Sequence, residues 1–579
     1  MDNNKLSEYD LCMLEHLTYM KAESQREAWE NVGINIDDLS EGTSLQKFLD
    51  GISDETLEKL DKMGNTYQGG DFISGNEWAS ILRYMKNNEK IKSLSLTDTM
   101  SKDDTLLALC FSEGNESKSA IVAFKGTANN GEWSDNVEGI DKSDTQAQVD
   151  AYNYVDNLQY DDITVVGHSK GGNKAMYCSI RSDKVSKCVS MDGQGFSNKF
   201  LKKYAVQIAA NSNKITNISY CSDYVHGLMI QIPGSNQMYT GTGYGSNGVC
   251  DATECHSPNS LFTYTITTDE NSNSILNVTG DFVVGEETRS ISIIRSFTEY
   301  LIYSDCPNKS KMVEYLSQLV SGGLDDILDN LMNSNDTDSV ALFVAYFIKY
   351  LNEANVSPEE VWILLVDIHV IDTVGDKTLV KMLENKFNIN LSKYNIDDLM
   401  LLRLLFSYFE GNESDQNYVI AKLINTFKNK DHKSKELINK ILKSVKSHYD
   451  SINFNLSQKK EDEDLINNWI RALNGKNCDL DLIALAGFVS DSIGLQYGME
   501  GIRITLNKLE ELINICSDEP LVIESNVYGH AYDKIQDLNN MYNSLNAKIF
   551  DMVKNVYNQV KAVQESVIWV ILSEDCKTV

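Results

Sequence analysis

The stretch Ile163-Thr-Val-Val-Gly167-His168-Ser169-Lys170-Gly171-Gly172-Asn-Lys-Ala-Met-Tyr-Cys178 decides how the chain is read. A β-branched apolar run ends in Gly-x-Ser-x-Gly, and a helix-compatible run follows. Strand, sharp turn, then helix is the setting a nucleophile elbow requires. Glycines at 167 and 171 let the backbone pass close to its neighbours, and the Ser169 hydroxyl stands exposed above the sheet. The Lys170 backbone N–H, at the positive end of the new helix, is placed to donate to an oxyanion. The rival reading is a glycine-rich turn with an inert serine. The tripeptide spacing alone does not exclude it; the flanking strand and helix favour the elbow.

Upstream, residues 93–98, 105–112 and 117–124 read as the first strands of a sheet. The third ends in Ala123-Phe124-Lys125-Gly126-Thr127. Its Thr127 N–H, with its hydroxyl, is the candidate second oxyanion donor opposite the Lys170 N–H, against the bland reading of an ordinary strand end. Residues 145–158 are helical by pattern. Downstream, residues 185–190 and 215–221 are strands leading into Asp192-Gly193 and Ser222-Asp223, with a helical stretch over 198–210 between them. Strands alternating with helices predict an α/β fold with a mostly parallel sheet. Chemistry in such sheets lies at the carboxyl ends of the strands, where Ser169, Asp192 and Asp223 all fall. Residues 227–250, rich in Gly, Ser and Asn, read as a flap, and 263–268 with 275–284 as a terminal hairpin.

A serine nucleophile needs a base to take its proton and an acid to orient that base. In elbow-bearing folds the chain order is Ser, then Asp or Glu, then His. Asp223 follows the second strand after the nucleophile strand, and His256 lies later on a loop, so Ser169, Asp223 and His256 satisfy order and topology. His226 is the rival base, but sits only three residues from Asp223 and would have to fold straight back. Asp192 is the alternative acid, in an Asp-Gly-x-Gly setting that reads equally well as a turn. His168 and His16 read as packing or solvated residues. Cys250 and Cys255 beside His256 lack a second ligand pair at zinc-like spacing, so no metal and no cofactor are expected.

These motifs together resemble a known family. Gly167-His-Ser-Lys-Gly-Gly-Asn173, Met191-Asp-Gly-Gln-Gly-Phe196, Asp223-Tyr-Val-His-Gly-Leu228 and His256-Ser-Pro258 are similar to the Mbeg-like α/β-hydrolases, bacterial proteins related to the class 3 lipases. Phe124-Lys-Gly-Thr127 looks like that family's Phe-Arg-Gly-Thr oxyanion strand, and the Leu6-Ser-x-x-Asp10-x-x-x-Leu14 helix also fits. The resemblance covers roughly residues 1–285. It implies an α/β-hydrolase fold, hydrolysis of carboxylic or lipid esters, and Ser169, Asp223 and His256 as nucleophile, acid and base. Two departures stand out. The family's His is usually followed by Asp-Pro, here Ser-Pro, and the helical remainder lies outside the pattern.

The rest of the 579 residues bounds the setting. A net charge of −32 argues against nucleic acid and anionic membrane surfaces as partners. Eleven scattered cysteines fit a reducing compartment. No secretory leader or transmembrane stretch is legible, which predicts a cytoplasmic protein or one exported without a Sec signal. After residue 285 the pattern turns helical, predicting an all-α C-terminal region: a helical domain over 286–495, then a long amphipathic helix or helical hairpin over 496–579. Residues 6–20 read as an amphipathic helix, and Ser357-Pro-Glu-Glu360 as a helix start. Two functions are expected from these features: an ester-cleaving serine hydrolase, or an interaction protein or exported lipase effector whose C-terminal helix docks a helical partner.

Overall fold

Strand β4 (Asp162–His168) lies at the centre of a seven-stranded sheet. The computed structural model describes residues 6–68, 73–102, 106–114, 117–127, 135–241, 252–268, 274–321, 337–367, 380–381, 398–410 and 443–473. The long helix or hairpin expected over 496–579 lies outside the described residues. The sheet runs β1 (Ser95–Lys102), β2 (Leu106–Ser112), β3 (Ser119–Phe124), β4, β5 (Val185–Met191), β6 (Ile215–Tyr220) and β7 (Asn236–Thr240). The first three are antiparallel, and β3 through β7 are parallel. Phe124 pairs with Gly167 and Gly167 with Ser190, so β3, β4 and β5 end at one level, below the loops carrying Thr127, Ser169 and Asp192.

The sheet is covered on both faces, so residues pointing to either side of its central strands are buried. Side chains alternate across a strand. Ile163 and Val165 of β4 enter one core with the helices of the α/β layer, and Val166 enters the opposite core with the N-terminal helices. The N-terminal layer comprises α1 (Glu8–Met20), α2 (Leu45–Gly51), α3 (Asp54–Met63) and α4 (Gly75–Lys86). Helices α5 (Gln146–Asn157), α6 (Lys170–Arg181), α7 (Asn198–Lys203) and α8 (Ala205–Asn211) follow between the strands. A small antiparallel hairpin, β8 (Tyr264–Thr268) with β9 (Ser274–Val278), packs against α4 through the Val278 N–H to Ser80 Oγ bond of 2.6 Å.

Three readings change. Helix α1 is buried all round from Tyr9 to Met20, including Asp10, Glu15, His16 and Thr18, rather than amphipathic. Several of its polar groups are met within the fold: His16 Nδ1 lies 2.9 Å from the Cys12 carbonyl, and Asp10 Oδ1 accepts from the Tyr84 hydroxyl at 2.8 Å. Residues 236–240, expected in a flap, form edge strand β7; Asn and Gly around them hid a strand that needs only one buried neighbour. Cys255 is disulfide-bonded, which the scattered cysteines did not lead one to expect.

The described residues beyond 288 are helical: α9 (Arg289–Tyr303), α10 (Lys309–Ser321), α11 (Thr337–Glu353), α12 (Pro358–Asp367), α13 (Asp398–Glu410) and α14 (Leu456–Leu473). Among the described residues, no helix is long and apolar enough to cross a membrane. Helix α12 starts on the capping box read from sequence, Glu360 N–H to Ser357 Oγ at 3.2 Å and Ser357 N–H to Glu360 Oε2 at 2.9 Å. Apolar packing runs straight across residue 285. Ile140, Tyr224, Val225, Leu228 and Met229 share one core with Ile294, Phe297, Leu301, Met312 and Val313. Helix α14 returns to the α/β layer, where Ile466 joins the core of α6, α7 and α8.

Candidate active site

Ser169 closes β4 and opens α6 with φ 58° and ψ −124°, a positive φ for a non-glycine residue. Such strain persists only where the surroundings impose it. They do so through close backbone approach. A Cβ on Gly167 would sit 2.3 Å from the Gly171 carbonyl carbon, and one on Gly171 would sit 2.1 Å from the Phe124 oxygen. Neither position tolerates a side chain, so the turn is held between strand and helix. Gly126 is constrained likewise: its Cβ would meet the Tyr19 hydroxyl at 2.6 Å and Ser169 Cβ at 3.2 Å. The strand end bearing Thr127 is thereby brought beside the serine.

Ser169 Oγ lies 2.8 Å from His256 Nε2, and His256 Nδ1 lies 2.7 Å from Asp223 Oδ1. A carboxylate only accepts, so the Nδ1 proton belongs to the Asp223 bond, and Nε2 accepts from the Ser169 hydroxyl. Asp223 is fully buried. Burial pushes its carboxyl up, yet the facing His256 and His226 imidazoles hold it well below the usual carboxylate range. Asp192, the alternative acid, ends β5 with φ 47° but meets no histidine in a hydrogen bond. Its Oδ1 accepts from the Tyr220 N–H at 2.8 Å, and its Oδ2 is buried without a hydrogen-bond partner. Burial first, then the Asp223 charge, raises the Asp192 carboxyl well above its ordinary value. Asp192, Asp223 and His226 present ligand-type atoms within 4.8 Å of one another.

His226 does not reach Ser169. It approaches Asp223 from the other side, its backbone N–H 2.7 Å and its Nδ1 3.3 Å from Oδ2. Its Nε2 lies 3.3 Å from Glu287 Oε1, and Arg295 of α9 holds Glu287 with two bonds of 3.1 and 2.8 Å. His168 packs against His256, its ring centroid 4.8 Å from that of His256, with its Nδ1 2.5 Å from the Tyr19 hydroxyl. Burial, then His256, holds His168 far below the ordinary imidazole value, so it stays neutral.

The Lys170 ammonium is buried and pairs with Asp135 at 2.6 Å. Asp135 Oδ1 accepts from the Ala147 N–H at 3.1 Å, which ties the elbow to the first turn of α5. Burial raises the Asp135 carboxyl, but Lys170 outweighs it and keeps it ionised. The Thr127 hydroxyl accepts from Asn136 Nδ2 at 2.8 Å. That bond aims the hydroxyl toward Asn136 and fixes the strand end that lies beside the elbow.

A cavity of ≈ 190 Å³ opens over Ser169 and His256. Thr127, Asn136 and Gln194 give it polar groups, and Val137, Val225, Leu228 and Val313 an apolar wall. Val313 and Ser317 belong to α10, so the helical region roofs the site. Tyr19, Glu287, Arg295 and Val313 were not singled out from sequence. Each reaches the site from a distant segment with no local motif. Only His226, three residues after Asp223, carried a readable signal.

No curated protein and no solved structure matches the chain. A family model described as Mbeg1-like matches residues 86–241, a segment that contains the seven-stranded sheet, Ser169 and Asp223 but ends before His256.

Proposed function

We propose that the chain is a serine hydrolase that cleaves carboxylic esters, acyl-lipid esters among them, through an acyl-enzyme. The observation that carries this is the unbroken line of hydrogen bonds from Ser169 Oγ through His256 to buried Asp223, with Ser169 strained at the mouth of a cavity. His256 Nε2 takes the hydroxyl proton as Ser169 attacks the ester carbonyl. Asp223 stabilises the imidazolium that forms. The Lys170 and Thr127 N–H groups receive the developing oxyanion, worth about 2.7–4 kcal/mol per donor in such sites. His256 returns the proton to the departing alcohol, and water then releases the acyl group by the same steps. The acyl chain lies along the apolar wall of Val137, Leu228 and Val313, and the alcohol leaves past partly exposed His256. Every group used belongs to the chain itself.

The test is labelling of the full chain by a fluorescent fluorophosphonate, beside Ser169→Ala and His256→Ala, with p-nitrophenyl esters of graded acyl length. Labelling of the wild type alone, with ester turnover, is expected. A folded wild type that neither labels nor turns over any ester refutes the assignment.

A further inference from the structure

The hydrogen-bonded line does not stop at the acid. Asp223 spends one oxygen on His256 and the other on His226, whose ring is buried and whose two nitrogens each face a carboxylate, Asp223 at 3.3 Å and Glu287 at 3.3 Å. A neutral imidazole has one N–H and one lone pair. In either tautomer it would set a lone pair against a buried carboxylate oxygen. Only the doubly protonated ring satisfies both contacts. We propose that His226 is a proton-carrying positioning residue that fixes Asp223 for His256, and that Glu287 and Arg295 anchor it from the helical region. The proposal rests on the serine-hydrolase reading of Ser169, His256 and Asp223.

The surroundings agree. Asp223 faces His226 from the loop after β6, Glu287 from the segment before α9, and Asp192 from the end of β5. The Tyr239 ring of β7 lies 5.4 Å away, and its hydroxyl donates to Glu287 at 3.3 Å. Gln231 donates to the His226 carbonyl at 2.6 Å, pinning the backbone. Two carboxylates, one imidazolium and one guanidinium balance in charge, with Asp223 and His226 buried and the Glu287–Arg295 pair reaching toward the surface. Burial alone opposes protonation of His226, but Asp223 and Glu287 outweigh it and raise the ring above the ordinary value. Asp192 Oδ2 is buried without a hydrogen-bond partner, and burial with the Asp223 charge favours the protonated carboxyl there over a competing charge.

The consequence is an alkaline limit set away from the reacting atoms. As pH rises through the His226 value, the ring loses one proton, one carboxylate contact turns repulsive, and Asp223 shifts. Turnover should fall on that limb with KM little changed. The two supports act in opposite directions. Glu287→Gln removes an anion from the ring and should move the limb down by about one pH unit, and Arg295→Gln removes a cation and should move it up. A merely structural role predicts no such opposition.

The experiment measures kcat and KM for a p-nitrophenyl ester between pH 6 and 10 in the full-length wild type and in Glu287→Gln, Arg295→Gln and His226→Gln. In parallel, the His226 ring is titrated by ¹³C-histidine NMR, which reports its protonation whether or not any ester is cleaved. Expected are a ring that titrates above its ordinary value, opposite shifts in the two supporting variants, and a ~10-fold to 100-fold loss of kcat without the alkaline limb in His226→Gln. A ring that titrates at or below about 6.5 overturns the proposal. So does a limb that does not move in Glu287→Gln. Activity lost to a chelator and restored by Zn²⁺ also overturns it, in favour of a metal held by Asp192, Asp223 and His226. Absence of labelling and turnover, with His226 still titrating above its ordinary value, would refute the hydrolase reading while leaving the anchoring of Asp223 standing.

Discussion

Asp223→Asn separates what the acid does for the reaction from what it does for the fold. The wild-type carboxylate accepts from His256 Nδ1 at 2.7 Å, from the His226 N–H at 2.7 Å and from His226 Nδ1 at 3.3 Å. Asparagine offers one oxygen and an NH₂ group of the same shape. The His226 backbone N–H cannot change its protonation, so it keeps the oxygen, and the NH₂ turns to His256. Nδ1 must then accept, and the imidazole proton moves to Nε2, where it points at Ser169 Oγ. A base in that tautomer has no lone pair for the hydroxyl proton. The wrong tautomer costs about 10⁴ in turnover where it has been isolated in serine triads, or ~5.4 kcal/mol at ~1.36 kcal/mol per decade. KM should change little, because substrate contacts the cavity wall rather than Asp223. Stability should fall too, by less than the ~3–5 kcal/mol of an orphaned buried ion, because Glu287 still faces His226. Single-turnover hydrolysis of a p-nitrophenyl ester, beside urea unfolding of both proteins, reads the two effects apart. A folded Asp223→Asn protein that keeps more than about a tenth of wild-type kcat refutes the argument.

Other consequences are as sharp. Lys170→Met leaves Asp135 buried without its cation 2.6 Å away, so stability should fall by ~3–5 kcal/mol in denaturant unfolding, and Asp135→Asn added to it should restore part of that loss. Asp223 and Glu287 are held below their ordinary values, Glu287 at about 2, so their contribution is present above the unfolded-state values of about 4 and lost as pH falls through the folded ones. Urea midpoints should therefore drop between roughly pH 4.5 and 2, and the drop should shrink in Glu287→Gln. Val313→Phe narrows a cavity of ≈ 190 Å³, where about 150 Å³ suffices for a benzene ring. Each methylene displaced from the wall should cost the longer esters about fourfold in kcat/KM, from ~0.8 kcal/mol per CH₂, with acetate esters unaffected. Equal losses for all chain lengths would place the acyl group elsewhere.

The sheet and the elbow were legible because both rest on local rules. The β-branched run from Ile163 to Val166, followed by Gly167 and Gly171, specifies strand, turn and helix within sixteen residues. The position of Asp223 followed from the end of a strand, and His256 was read from chain order on a later loop. What escaped was whatever depends on distant packing. Strand β7 sits among Gly and Asn and is held by its register with β6, Thr216 to Asn236 through Tyr220 to Thr240. Helix α1 reads as amphipathic, but packing buries its polar side too, so it has no solvent face. Glu287 and Arg295 stand at the start of a segment whose composition reads only as helical, and nothing local says that they reach back to His226.

The change of pattern at residue 285 invites a shortened chain that ends there, and the packing argues that it would not work as a separate enzyme. Ile140, Tyr224, Val225, Leu228 and Met229 are buried in one core with α9, α10 and the helices beyond. Uncovering five such side chains forfeits up to ~2 kcal/mol each, on the order of 10 kcal/mol. Native domains hold only about 5–15 kcal/mol in all. The cut would also remove Glu287 and Arg295 behind Asp223, and Val313 from the roof of the cavity. A chain ending at 285 should therefore unfold or bind a hydrophobic dye, and should not label with fluorophosphonate, even though Ser169, Asp223 and His256 are all present in it. A soluble, cooperatively folding 1–285 protein with wild-type kcat would show that the shared core is an adhesion between independent units. The opposite result would make the helical region a structural part of the catalytic centre, in keeping with a site whose acid is held from one side by β6 and from the other by α9.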